Sequence, residues 1–194
     1  MAPRTKNLAG MAIFIAIVVV LQILGSFIKF GAFSITLVLV PIVVGAAVYG
    51  KMAGAVLGGA FGVVALINCI NGVDPGGYIL WSANPIVTAL LCLLKGILAG
   101  YAAGAVYSVI SKKSIYWGVI CAAIACPVVN TGIFLAAMVL FFQGVLTEWA
   151  GGADIVYYLF IGLVGINFLL EMAVNIVLSP GILRIIKAAK SVFI

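Results

Sequence analysis

From Asn84 to Gly104 the chain reads NPIVTALLCLLKGILAGYAAG, an apolar run with a single charge, Lys95, near its middle. More than about 18 consecutive apolar residues mark a helix that crosses a bilayer. Comparable runs recur along the whole sequence, and their recurrence excludes a water-soluble core. Hydrophobic residues are 66% of the 194 positions and charged residues only 7%, with a mean hydropathy of +1.41. The chain reads as an all-α integral membrane protein with six transmembrane helices in one membrane domain, residues 1–194.

The spans are expected at about 8–24, 34–49, 52–70, 85–110, 115–142 and 155–178. The basic start, Met1 to Asn7, opens the first span rather than a signal peptide, because the apolar run behind it is too long. Pro41 should bend the second span. Segments 71–83 and 143–154 read as polar loops. Asn84 before Pro85 is a helix-start signal, a capping side chain followed by proline at the first helical position. After Ser179-Pro180-Gly181, residues 182–194 carry Arg184, Lys187 and Lys190 among apolar neighbours, the pattern of a short amphipathic helix lying on the membrane surface.

Charge placement sets the orientation. Arg4, Lys6, Lys51, Lys112, Lys113, Arg184, Lys187 and Lys190 fall on one side of the predicted spans. Lys29 and the acids Asp74, Glu148 and Asp154 fall on the other. By the positive-inside rule both termini are cytoplasmic, in a bacterial plasma membrane on the family reading below, and the connections after spans one, three and five face outward. The net charge of +6 therefore reports topology, with no basic patch of the kind nucleic acid requires.

The sequence has no histidine, which removes Ser-His and Cys-His catalysis and imidazole metal sites. Cys69, Cys92, Cys121 and Cys126 form no C-x-x-C and read as small apolar packing residues. No cofactor, metal site or enzymatic activity is indicated. Gly54, Gly58 and Gly62 in span three and Gly96, Gly100 and Gly104 in span four repeat every fourth residue, so the two spans should pack closely as an antiparallel pair.

An ammonium at the depth of Lys95 is costly and faces a partner, a cavity or water. It shares one helix face with Asn84 and Thr88, roughly 15 Å below Pro85 at the helical rise. Its side chain leans toward the helix N-terminus, which faces outward here. In span six, Asn167, Glu171 and Asn175 make a polar stripe, with Asn167 near the depth of Lys95, and Asn130 of span five reaches a similar level. Either these groups line a pocket open to the outside, or Lys95 and Glu171 pair in a buried network with the asparagines. In the pocket arrangement the ligand is neutral or zwitterionic, or an anion if Glu171 is already neutralised. Tyr78, Trp81, Phe30, Phe33 and Tyr157 sit where they can stack on a ring, or anchor the chain at the interface.

Six spans with both ends inside, Ala12-Ile-Phe-Ile-Ala16 in span one, and Pro41-Ile-Val-Val-Gly45-Ala-Ala-Val-Tyr-Gly50 leading into Gly54 and Gly58 resemble the substrate-binding S components of energy-coupling factor (ECF) vitamin transporters. The resemblance implies a subunit that captures a vitamin from outside with high affinity, with pantothenate, riboflavin and folate as candidates. It implies that spans four to six and the outward loops form the pocket. Ala12 and Ala16 would lie on the docking surface for a transmembrane coupling protein, which carries two cytoplasmic ATPases. The absence of a G-x-x-x-x-G-K-[ST] loop agrees with ATP hydrolysis in separate subunits. The alternative is a self-sufficient channel or secondary carrier, against which stands the lack of an inverted repeat of broken spans.

Overall fold

The structure is a computed structural model. It describes the backbone at residues 3–27, 29–30, 33–34, 38–163 and 165–193, and side chains at 8–27, 38–159, 161–162, 165 and 168–186.

The chain is almost wholly helical. Helix α1 (Pro3–Ser26) leads into a minimal antiparallel pair, β1 (Lys29–Phe30) and β2 (Phe33–Ser34), then α2 (Leu39–Tyr49), α3 (Lys51–Ile70), α4 (Pro75–Ala83) and α5 (Pro85–Ile110). Helices α6 (Ile115–Phe141), α7 (Gln143–Ala150) and the single turn α8 (Ile155–Tyr157) follow. A π-helical segment (Tyr158–Leu163), α9 (Gly165–Val177) and α10 (Ser179–Phe193) complete the chain. Among the described residues, five helical stretches are long and apolar enough to cross a membrane: Leu8–Ser26, Lys51–Ile70, Pro85–Ile110, Ile115–Phe141 and Phe168–Ile186. Leu39–Tyr49 is apolar but shorter.

Helix α2 is the hub. Its residues Leu39 and Pro41 through Ala47 are buried, and it touches α1, α3, α5, α6, α9 and α10. The expected bend at Pro41 does not arise. The helix begins at Leu39, so the proline stands in the first turn, where no backbone N–H has a helical partner to lose. Gly50 alone joins α2 to α3; its φ of 94° is a conformation glycine adopts without strain, and its N–H closes on the Ala46 carbonyl at 3.0 Å. Helix α1 packs on this hub through Gly10, Phe14 and Val18. The Tyr49 hydroxyl occupies the space beside Gly10, and the Phe14 and Tyr49 rings meet edge to face at 6.0 Å. The opposite face of α1, including Ala12, Ile13, Ala16 and Ile17, is exposed.

Helices α3 and α5 are sewn together by their glycines. A Cβ on Gly58 would strike the Gly96 carbonyl, one on Gly54 the Gly100 carbonyl, one on Gly62 the Cys92 carbonyl, and one on Gly104 the Lys51 backbone. Backbone therefore lies against backbone from Lys51 to Gly62 of α3 and from Cys92 to Gly104 of α5, in the antiparallel sense the spacing predicts.

Two connections expected as loops are helices. Helix α4 starts at Asp74, whose carboxylate accepts the Gly77 N–H at 3.2 Å, with Pro75 at the first helical position. Helix α7 ends at Gly151, which is left-handed. Helix α4 touches both β2 and α7, so the connections after α1, α3 and α6 gather at one end of the bundle. There Leu80, Leu91, Met138, Phe142, Leu146 and Leu159 form a second apolar cluster, separate from the one around α2.

The C-terminal part departs furthest from expectation. The segment expected as the last span opens with the turn α8 and the π-helical segment Tyr158–Leu163, and α9 follows from Gly165. The hydrogen bonds Leu178 N to Val174 O and Ile182 N to Leu178 O then carry the helical ladder past Ser179-Pro180. In the described first part of helix α10 the apolar face turns inward. Ile182 and Ile186 are 1% and 0% exposed, inside the core that surrounds α2, while Arg184 and Ile185 point outward.

Candidate functional site

Helix α5 sets the depth of the site through its start. The Asn84 side chain accepts the Val87 N–H at 3.2 Å, and the Thr88 hydroxyl donates to the Asn84 carbonyl at 2.9 Å. Both residues predicted as ligand contacts thus have local structural partners, and Thr88 is buried. They fix where the helix begins and so how far down it Lys95 lies.

The half-buried Lys95 stands between aromatic rings. Its Nζ lies 5.7 Å from the centroid of Phe61 on α3 and 5.7 Å from that of Phe134 on α6. Cation–π attraction at such distances holds an ammonium without cancelling its charge. Among the described residues no carboxylate comes within ion-pair distance of Lys95; the Lys95–Glu171 pair that the sequence left open is not made. Neither ring was singled out from the sequence. For Phe61 a signal existed, because it sits between Gly58 and Gly62 on the ridge that faces α5. The closeness of α3 and α5 at Gly96 then lays the Phe61 ring beside Lys95: its Cδ1 is 3.0 Å from where a Cβ on Gly96 would stand.

Asn130 lies one helical turn from Phe134 on the same face of α6. It is 5% exposed, and its Oδ1 has no hydrogen-bond partner among the described residues. On α9, Glu171 is 6% exposed and is an electrostatic neighbour of Cys126 on α6. Asn175 donates from Nδ2 to the Glu171 backbone carbonyl at 2.8 Å, while its Oδ1 also lacks a partner among the described residues. Buried amide oxygens without donors are uncommon and costly in an apolar surrounding. The side chains of Asn167, Phe30 and Phe33 lie outside the described residues.

The aromatic residues of the connections divide. Tyr78 is exposed on α4, Trp81 half-buried on the same helix, and Tyr157 exposed on α8. Trp149 on α7, not singled out from the sequence, packs against the second apolar cluster together with Phe134 and Phe168. Near the C-terminal end of α3 the thiol of Cys69 approaches that of Cys92, about two turns into α5, to 3.8 Å. Among the described residues no group of His, Cys, Asp and Glu is arranged to hold a metal ion.

The arrangement offers a cation, a hydrogen-bonding amide and a carboxylate on three helices, bordered by rings and an end built of short helices. It suits the holding of a small polar molecule. The family model for the substrate-specific component of ECF transporters matches residues 6–183. The chain is also similar to the pantothenic acid transporter PanT of Lactococcus lactis subsp. cremoris (strain MG1363), with 26% identity over 199 aligned residues that cover 97% of each chain.

Proposed function

The chain belongs to the family of ECF transporter substrate-specific components, and from that premise we propose that it is the pantothenate-capturing subunit of an ATP-driven importer. The similarity to a pantothenic acid transporter supports pantothenate over the other vitamin candidates. The observation that carries the reading is the Lys95 ammonium, placed between rings rather than against a carboxylate. Pantothenate is a small anion with one carboxylate, an amide and hydroxyl groups. In the pocket Lys95 takes the carboxylate, Asn130 and Asn167 bond the amide and hydroxyls, and Glu171 accepts from a hydroxyl. Asn84 and Thr88 set the pocket's depth, and Tyr78, Trp81 and Phe30 form its rim.

In the membrane α2 counts as the sixth, short segment, shielded inside the bundle. The basic connections face the cytoplasm, as do both termini, and the end bearing α4 and α7 faces outward. The exposed alanine face of α1 docks the transmembrane coupling protein, whose two ATPases supply the energy. On this reading ATP hydrolysis belongs to those partner subunits and not to this chain.

Titration of the purified chain with pantothenate tests the reading, followed by the intrinsic fluorescence of its tryptophans. Saturable binding is expected, weakened about 10- to 100-fold in Lys95→Met, the range for losing a charge-assisted contact. Binding by neither protein would refute it. Replacing Ala12 or Ala16 by Phe should leave binding intact and stop co-purification with the coupling protein. Undiminished co-purification would remove the docking face.

A further inference from the structure

We propose that Phe61 and Phe134 are positioning residues that keep the Lys95 ammonium un-neutralised, so that the site selects a ligand bearing a carboxylate over the same molecule without its charge. The inference deepens the pantothenate reading and rests on Lys95 as a ligand contact.

A lysine buried in a membrane bundle is ordinarily matched by an acidic side chain. Such a pair is internally balanced, and a site built on it gains little from a charged ligand. Here the carboxylate nearest in kind, Glu171, lies by Cys126 on the α6–α9 side, and among the described residues Lys95 has no ion pair. The ammonium rests on ring faces from two different helices instead. A ring supplies negative electrostatic potential but no oxygen, so the N–H donors of the ammonium still require acceptors. A carboxylate supplies them and the compensating charge together; an alcohol supplies one acceptor and no charge.

Both rings are themselves held in place. Phe61 is 1% exposed and lies against Gly96, the residue next to Lys95 in α5. Phe134 packs against the second apolar cluster. Since Phe61 belongs to the cluster around α2, the ammonium stands at the junction of the two clusters. A ring from each locates it, and neither can turn away without disturbing its own cluster. Phe134 also shares its face of α6 with Asn130, so the same helix fixes the charge and the amide relative to each other.

The test compares pantothenate with the analogue whose carboxylate is reduced to a primary alcohol, in competitive binding to the purified full chain. The wild type should prefer pantothenate by about 10- to 100-fold. In Phe134→Leu that ratio should shrink about five- to tenfold, chiefly through weaker pantothenate binding, because the ammonium loses one of its supports. Phe134→Tyr, which keeps the ring, should retain the ratio. Phe134 is chosen over Phe61 because a half-buried side chain is the more replaceable, and a monodisperse elution profile checks that the variant is folded. A general packing defect would weaken both ligands alike and leave the ratio unchanged. An unchanged ratio in Phe134→Leu, alongside a collapsed one in Lys95→Met, would overturn the positioning role and leave the pantothenate reading standing. An unchanged ratio in Lys95→Met would remove Lys95 from the ligand and the proposal with it. Failure of the wild type to bind either molecule would instead refute the pantothenate reading itself.

Discussion

The seam between α3 and α5 and the boundary between α6 and α9 are both helix contacts inside one apolar bundle, built on opposite principles. At the seam, glycines bring carbonyls and Cα atoms into contact. At the boundary, Asn130, Cys126, Glu171 and Asn175 place polar side chains in buried positions, and two amide oxygens there lack partners among the described residues. Between lipid-solvated helices the hydrophobic effect gives little drive to associate, and close packing supplies it. The seam has that packing in full. The boundary gives some of it up, and polar groups held at a cost in stability are a mark of function.

The contrast can be broken most forcefully at Gly58. Gly58→Ala would drive a methyl into the Gly96 carbonyl, which has no room to yield. A loss of about 1–3 kcal/mol is expected, read as a lower melting temperature in detergent. Tolerance of the alanine would mean the seam is looser than its geometry. Asn130→Leu sharpens the other side. A near-isosteric apolar side chain removes an amide oxygen that has no donor, so ligand-free stability should rise by about 1 kcal/mol while pantothenate affinity falls. If both fall together, Asn130 serves structure rather than ligand. The smallest effect belongs to Gly132→Ala on the exposed side of α6, where an added Cβ meets nothing within 4 Å. It should change stability by no more than about 1 kcal/mol, in the stabilising direction, through helix propensity alone. A drop comparable to that of Gly58→Ala would show that glycine content, not the seam, carries the difference.

The two regions were also unequally legible. The glycine seam could be read in advance, because a four-residue spacing on a helix specifies one face and small side chains specify what approaches it. The start of α5 could be read from Asn84-Pro85 for a similarly local reason. Helix α4 carries the same signal in Asp74-Pro75, but the following glycines suggested a turn. Helix α2 looked longer than it is, since the apolar sequence continues back to Ser34 while the helix begins only at Leu39. Its proline was misjudged with it: the same residue kinks a helix interior and is harmless in a first turn. In the tail, Ile182 and Ile186 pack into the protein core, which the sequence did not reveal, because a pattern of apolar residues does not say whether lipid or protein covers them. The ring contacts of Lys95 join three helices, and no local pattern encodes which aromatic residue reaches across.

The single residue between α2 and α3 bears on how the protein is made. Eleven helical residues amount to about 17 Å, little more than half a hydrocarbon core, so α2 is a poor membrane anchor by itself. Tethered through Gly50 to the longer α3, it has a companion at the moment it leaves water. Biogenesis of the hub thus depends on α3, and a spacer inserted at Gly50 would strike at insertion before it touched the folded state.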